Sequence, residues 1–290
     1  MKARRRRLLT AATMVFALAL GIALGAGPLG KPANVLPGVD EQRGQDPSLA
    51  AFEADFVKET SGEMLAGRLR GRNVVLVTVA GARTHEVARI KDALEDADAT
   101  IVSEPTFTAK LIDPANRQFV DSVARSAALK VREIAKGPGS YQRIGTALAR
   151  AFLNEAGTEP DEVAGLIWEA FTEGDLITGP EPEELGDAVV MVVGGQRAAS
   201  QSKVIGELVR AIGSHAEGTV LAGPAAASRS KGAVAALREG PAAEIISSVD
   251  VTDSVAGPVV VALALQQDQA GEPGAWGTPR SADGPLPEDQ

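Results

Sequence analysis

The residues that could do chemistry are few and scattered. Two histidines, His85 and His215, are the only imidazoles, and the chain has no cysteine. Nucleophilic catalysis needs an activated Ser, Thr or Cys beside a base, and no G-x-S-x-G turn is present. His85 falls in the first turn of a helix that follows a strand, and His215 near the end of another helix. Both read as surface histidines without a partner. Zinc and copper favour clustered Cys, His and Met ligands. Apart from Met1 and Met14 the methionines are Met64 and Met191, both inside apolar patterns, and Met191 reads as core.

Three further groups invite a reading. Gly194-Gly195 ends a strand, where α/β folds hold anionic ligands, but without a G-x-G-x-x-G or Walker pattern it reads as a turn. Asp250 and Asp253 carry carboxylates that suit a hard cation, yet two acids in a Ser/Asp/Thr loop more often cap turns. Glu181, Glu183 and Glu184 lie between prolines and glycines and read as a solvated loop rather than a general acid and base. The sequence therefore predicts no catalytic, cofactor-binding or metal-ligating set, and a protein that is not an enzyme.

The elements that would position such residues alternate. Asn73-Val-Val-Leu-Val-Thr-Val79 predicts a strand buried on both faces, closed by Gly81. Thr84 is placed to cap the next helix, whose face carries Val87, Ile90 and Leu94, and a second strand is predicted at Thr100 to Val102. That is a βαβ unit. From Asp113 to Phe171 the period is helical, with Phe119, Val120 and Val123, then Ile144, Leu148 and Phe152, then Val163, Leu166, Ile167 and Phe171. Strands are then predicted at Ala188 to Val193, Thr219 to Ala222 and Ile245 to Val249, with helices around Val204 to Ile212 and Ala233 to Leu237. Pro258 to Leu265, apolar throughout, predicts a last long strand. The fold class is α/β: a Rossmann-like, mostly parallel sheet domain with a helical insertion, behind a single-pass N-terminal transmembrane helix.

That helix follows from the N-terminus. Lys2 and Arg4 to Arg7 form a basic cap, and Leu8 to Leu29 carries no charge. At 1.5 Å per residue such a run reaches roughly 33 Å, enough for a hydrocarbon core of about 30 Å. Secretory h-regions are shorter, so a permanent anchor is expected, although Ala23-Leu24-Gly25 resembles a cleavage site. The arginines hold residues 1–7 in the cytoplasm and send the rest outside. Gly21 and Gly25 are either tolerated or form the contact of a parallel homodimer.

The expected organisation is a cytoplasmic cap at 1–7, a membrane helix at 8–29 and a linker with a short helical stub at 30–69. An extracytoplasmic domain follows at 70–267, and a disordered tail at 268–290, with Trp276 as its exception. In the stub, Leu49, Phe52 and Phe56 recur at spacings of three and four. The net charge of −9, with five cations in the cap, leaves the exported part more acidic still and argues against nucleic acid or an anionic surface as partner.

The layout resembles a family. Ala17-Leu-Ala-Leu-Gly-Ile-Ala-Leu-Gly25, Gly71-Arg-Asn-Val-Val-Leu-Val77, Gly218-Thr-Val-Leu-Ala-Gly223, Ile246-Ser-Ser-Val-Asp250 and Ala256-Gly257 occur in the order and spacing of the actinobacterial copper transporter family, over nearly the whole chain. The resemblance implies a part in copper export or resistance at the cell envelope, with a pore proposed for the outer envelope. Related members are associated with septation, which implies a cell-division or envelope protein as partner. The family's long coiled coil between anchor and domain is reduced here to the stub at 49–56. Its Gly-rich C-terminal segment is reduced to Gly274-Ala-Trp-Gly277. Copper is implied by the resemblance alone, and no position here matches a family ligand.

Overall fold

Seven consecutive residues, Asn73–Val79, form β1, and five of them are buried. A strand this apolar needs neighbours on both edges and cover on both faces. It has them. The computed structural model describes residues 47–287 apart from 130, 132, 133, 135, 136, 155, 156, 279 and 280. The basic cap, the apolar run 8–29 and the linker up to residue 46 lie outside the described residues. By internal contacts the chain divides into two units, 1–64 and 65–290. The described part of the first belongs to one helix, α1 (Pro47–Leu65). This helix extends well past the stub expected at 49–56, because Ser61-Gly62 does not stop it. On it Leu49 and Phe52 are exposed, and Phe52 stacks on Phe56 with ring centroids 6.2 Å apart.

The second unit carries one eight-stranded sheet in which β1 has partners on both edges. After β1 come α2 (Thr84–Asp96), β2 (Thr100–Ser103) and β3 (Thr106–Phe107). β2 pairs with the start of β1 and β3 with its end, both parallel, so Glu104-Pro105 interrupts what is one strand position. The Pro105 carbonyl still accepts from the Thr78 N–H at 2.9 Å. Proline lacks the donor to continue the ladder on its own account.

The helical insertion holds α3 (Ala109–Ile112), α4 (Arg117–Ala127), α5 (Ser140–Phe152) and α6 (Glu162–Glu173). It returns through β4 (Ile177–Thr178), antiparallel to β3. The chain then re-enters the sheet as β5 (Ala188–Val192), followed by α7 (Ala199–Gly213), β6 (Gly218–Ala222), α8 (Ala233–Arg238) and β7 (Ser247–Val249). It closes with α9 (Gly257–Gln269) and β8 (Ala275–Trp276). The pairs β1–β5, β5–β6, β6–β7 and β7–β8 are all parallel. The mixed α/β class with a mostly parallel sheet is therefore as the alternation predicts.

Strand alternation assigns the two faces. Val75, Val77, Val79, Val189, Met191, Val193 and Leu221 join one core with the buried residues of α4 to α8. α2 and α9 pack on each other, and α9 lies on β6 and β7. On α4 Val120 is buried, but Phe119 is exposed and takes the Lys110 ammonium over its ring at 4.9 Å.

Three expectations are corrected. Pro258 to Leu265 is the buried part of α9, not a strand. Pro258 sits in the first turn, where its missing N–H costs nothing, and the helix is apolar all round because it is covered all round. The β-branched triplet Val259 to Val261 imitated a strand. Second, the chain beyond residue 267 is not a free tail: α9 runs to Gln269 and β8 joins the sheet, with Trp276 buried. Third, Thr84 does not cap α2; the N-cap position is Arg83, whose carbonyl accepts from Glu86 and Val87.

Two carboxylates close the ends of elements. Asp268, on α9, accepts from the backbone N–H of Thr219 and of Ser247, both at 2.7 Å, and so ties the starts of β6 and β7 to one helix. Burial pushes its carboxyl above the usual range, and the two N–H groups pull it back. Asp161 caps α6 through the Ala164 N–H at 2.9 Å and pairs with Arg150. The cap bond, then Arg150, hold its carboxyl below the usual range.

Asp268→Ala leaves two buried donors without acceptors and is expected to cost about 2–4 kcal/mol in denaturant unfolding. Asp161→Ala is expected to cost about 1 kcal/mol at neutral pH. Because its folded value is depressed, that contribution is fully present above the unfolded carboxylate range. It disappears as pH falls through the folded value, so wild type and variant converge in acid.

Candidate functional site

In a doubly wound sheet the ligand crevice lies outside the carboxyl ends of the strands, where successive helices leave to opposite faces. Here that point lies between β1 and β5. α2 departs from β1 to the face of α9, and α7 departs from β5 to the face of the insertion. The crevice is lined by the turns 80–83 and 193–198.

Backbone fills much of it. The Ala82 N–H bonds the Val79 carbonyl at 2.9 Å, tightening the turn after β1. Gly194 lies directly against the Gly81 carbonyl, and any Cβ at 194 would collide with that oxygen. Arg197 reaches across from the second turn. Its guanidinium donates to the Ala80 carbonyl at 3.2 Å, and its Nε is buried without an acceptor. Burial pushes this guanidinium below its ordinary value.

A row of polar contacts continues along the same end of the sheet. Glu86, in the first turn of α2, is fully buried; it accepts from Thr252 Oγ1 at 2.8 Å and pairs with Arg83 at 3.1 Å. Arg89 donates to the carbonyls of Thr252 and Ser254 at 2.8 and 3.2 Å. These bonds pin the loop after β7 to α2. Next to them Asp250 is fully buried and faces Arg238 at 3.5 Å, and burial lowers the Arg238 guanidinium while Asp250 opposes the shift. At the other end of the sheet Arg72 joins Asp187 at 3.2 Å and also Glu217, while the Asn73 N–H reaches Asp187 at 3.1 Å. Burial raises the Asp187 carboxyl despite Arg72.

The residues singled out by type do not converge. His85 is exposed at the start of α2 and His215 is exposed after α7, so they stand at opposite ends of the sheet. Met191 is core and Met64 lies on α1. Asp253 accepts from the Ala225 N–H at 3.1 Å, and Asp250 from Thr278, so both carboxylates serve turns and loops. Glu181, Glu183 and Glu184 are exposed, Glu184 accepting from the Asn73 amide at 3.4 Å. Among the described residues no three His, Cys, Asp or Glu side chains gather as a metal-holding group. The charges that matter here, Glu86, Arg197 and Arg238, carry no sequence signal, since an acid in a first turn and an arginine near a helix end look like ordinary surface.

Gly194→Ala drives a methyl group into the Gly81 carbonyl. It is expected to cost about 2–3 kcal/mol, measured as a lowered urea midpoint with unchanged slope. A Gly195→Ala control is expected to cost less, since its Cβ would meet the Ala226 methyl at 3.2 Å and the Pro224 ring at 4.0 Å and no backbone atom.

A comparison with protein families supplies what the side chains do not. The model of a family described as "Copper transport outer membrane protein, MctB" matches residues 1–287. No curated protein matches the chain. Since the match spans nearly its full length, the chain belongs to the MctB family, a copper transport-related family.

Proposed function

We propose that the protein acts in copper efflux or copper resistance at the cell envelope without itself chelating copper tightly. The family match over residues 1–287 carries the copper part. The separation of His85 from His215 and the lack of cysteine support the second part, because soft clustered ligands are what tight Cu(I) binding requires. The domain would then work as a folded, non-enzymatic component. It would be held at the membrane by the apolar run 8–29, with its α/β body outside the cytoplasm. Among the described residues no helix is long and apolar enough to cross a membrane, so the anchor rests on that run alone.

A second reading, a division scaffold that docks a partner protein, draws on α1. Leu49 and Phe52 are 48% and 63% exposed on one helix with the Phe52–Phe56 stack, a face suited to another helix.

Deleting the gene is expected to lower the copper concentration that halts growth by several-fold while septa remain normal. Chained cells with ordinary copper tolerance would instead favour the scaffold. Calorimetry on the full chain in detergent is expected to show no submicromolar copper site; one abolished by His85→Ala or His215→Ala would sink the indirect mechanism. The anchor predicts that the chain stays in the membrane pellet after carbonate extraction, and that removing residues 1–29 releases it.

A further inference from the structure

The C-terminal segment is composed as a mobile tail yet sits in a built site. Beyond α9 the chain turns at Gly271, whose φ of 84° is left-handed, and passes Pro273. The Gly274 carbonyl then accepts from the Ser248 N–H at 2.9 Å, and the Trp276 carbonyl from the Asp250 N–H at 3.2 Å. These are the donors of the β7 edge. Arg238, only 6% exposed, forms the wall: it donates to Ser248 Oγ at 2.8 Å, to the Trp276 carbonyl at 3.0 Å and to Ser281 Oγ at 2.9 Å. Asp250 forms the end: it accepts from the Thr278 N–H at 2.8 Å and from Thr278 Oγ1 at 2.5 Å. Gly277, with φ 129°, passes so close to Asp250 that no side chain fits. Asp283 clasps the segment on itself, accepting from the Ala275 N–H at 2.9 Å.

The ladder itself is only two residues long, and Trp276 is the one large apolar side chain buried along it. Such a short strand is weak alone, and its docking depends on groups that belong to the body: the β7 edge, Arg238 and Asp250. Those groups recognise backbone, a small residue and a hydroxyl, which any copy of this segment supplies.

We propose that the β7 edge, Arg238 and Asp250 form a strand-accepting groove. The chain fills it in cis with Gly274 to Thr278 and Ser281 to Gly284, and it takes the same segment of a second copy in trans when that segment is displaced. Strand addition to a sheet edge is a general mode of recognition, and the short connection through Gly271 to Pro273 is the kind of hinge that permits exchange. This inference does not depend on the copper reading.

The probe is a synthetic peptide of residues 271–287, offered to the full chain and to a chain ending at Ala270. The shortened chain is expected to bind the peptide one to one, with a blue shift of Trp276 emission. The full chain, its groove occupied, is expected to bind at least tenfold more weakly. Arg238→Met in the shortened chain, or Thr278→Val in the peptide, is expected to weaken binding at least tenfold. A shortened chain that keeps its near-ultraviolet circular dichroism and yet binds nothing overturns the proposal, as does binding indifferent to Arg238→Met. Where the shortened chain does not fold, hydrogen exchange on the full chain decides. Asp250 and Gly277 amides that open while β5 amides stay protected support the groove, and opening only together with the whole sheet refutes it.

Discussion

Burying β1 on both faces is the constraint from which the architecture follows. Its even-numbered residues Val74 and Leu76 and its odd-numbered residues Val75, Val77 and Val79 are all fully buried, so neither face can be left to water. Parallel partners on both edges satisfy its backbone, and parallel partners need crossover helices. Those helices are what cover the two faces. The insertion between β3 and β5 adds the extra layer that completes the larger core, which reaches from Val77 through Met191 to Phe152 and Phe171.

Buried charge then fixes how the loops close. Each is answered locally: Glu86 by Thr252 and Arg83, Asp268 by two strand N–H groups, Asp250 by Arg238 and Thr278. A buried ion pair is weak evidence of stability, but losing one member is costly. Arg238 and Asp250 face each other at 3.5 Å and also hold the Trp276 carbonyl and the Thr278 N–H, so replacing either one leaves partners of both kinds unanswered. At the switch point the same economy of space leaves Gly194 against Gly81, so the place where related architectures admit a ligand is here substantially occupied by the chain.

The alternation from Asn73 to Leu237 was legible because both periods were clean: Val74 to Val77 and Ala188 to Val192 have no helical reading, and Ile144, Leu148 and Phe152 have no strand reading. Pro258 to Leu265 was misread because periodicity vanishes when an element is apolar on every side; only its length, running on through Gln266 to Gln269, separates helix from strand. The order beyond Gln269 was invisible for another reason. Composition records how little apolar surface Gly274 to Thr278 can bury, but not that Arg238, some forty residues earlier, is placed to donate to the Trp276 carbonyl. The candidate site suffered likewise. His85 and His215 are conspicuous by type and stand apart, while Glu86 and Arg197 are ordinary by type and meet other groups only through long-range packing.

The opposite edge of the sheet has its own consequence. β4 offers two residues, runs antiparallel to β3, and leads at once into Gly179-Pro180-Glu181-Pro182 with two more glutamates behind. Prolines lack donors and like charges repel, so that border is sealed against another strand. Strand exchange is thereby confined to the other border of the sheet, where β7 pairs with β8. There the outer edge of β8 is covered by the chain's own return, Gly277 N–H to the Gly284 carbonyl and Asp283 N–H to the Ala275 carbonyl, so an exchange closes a pair only when it is reciprocal and otherwise hands the groove of each copy on to the next.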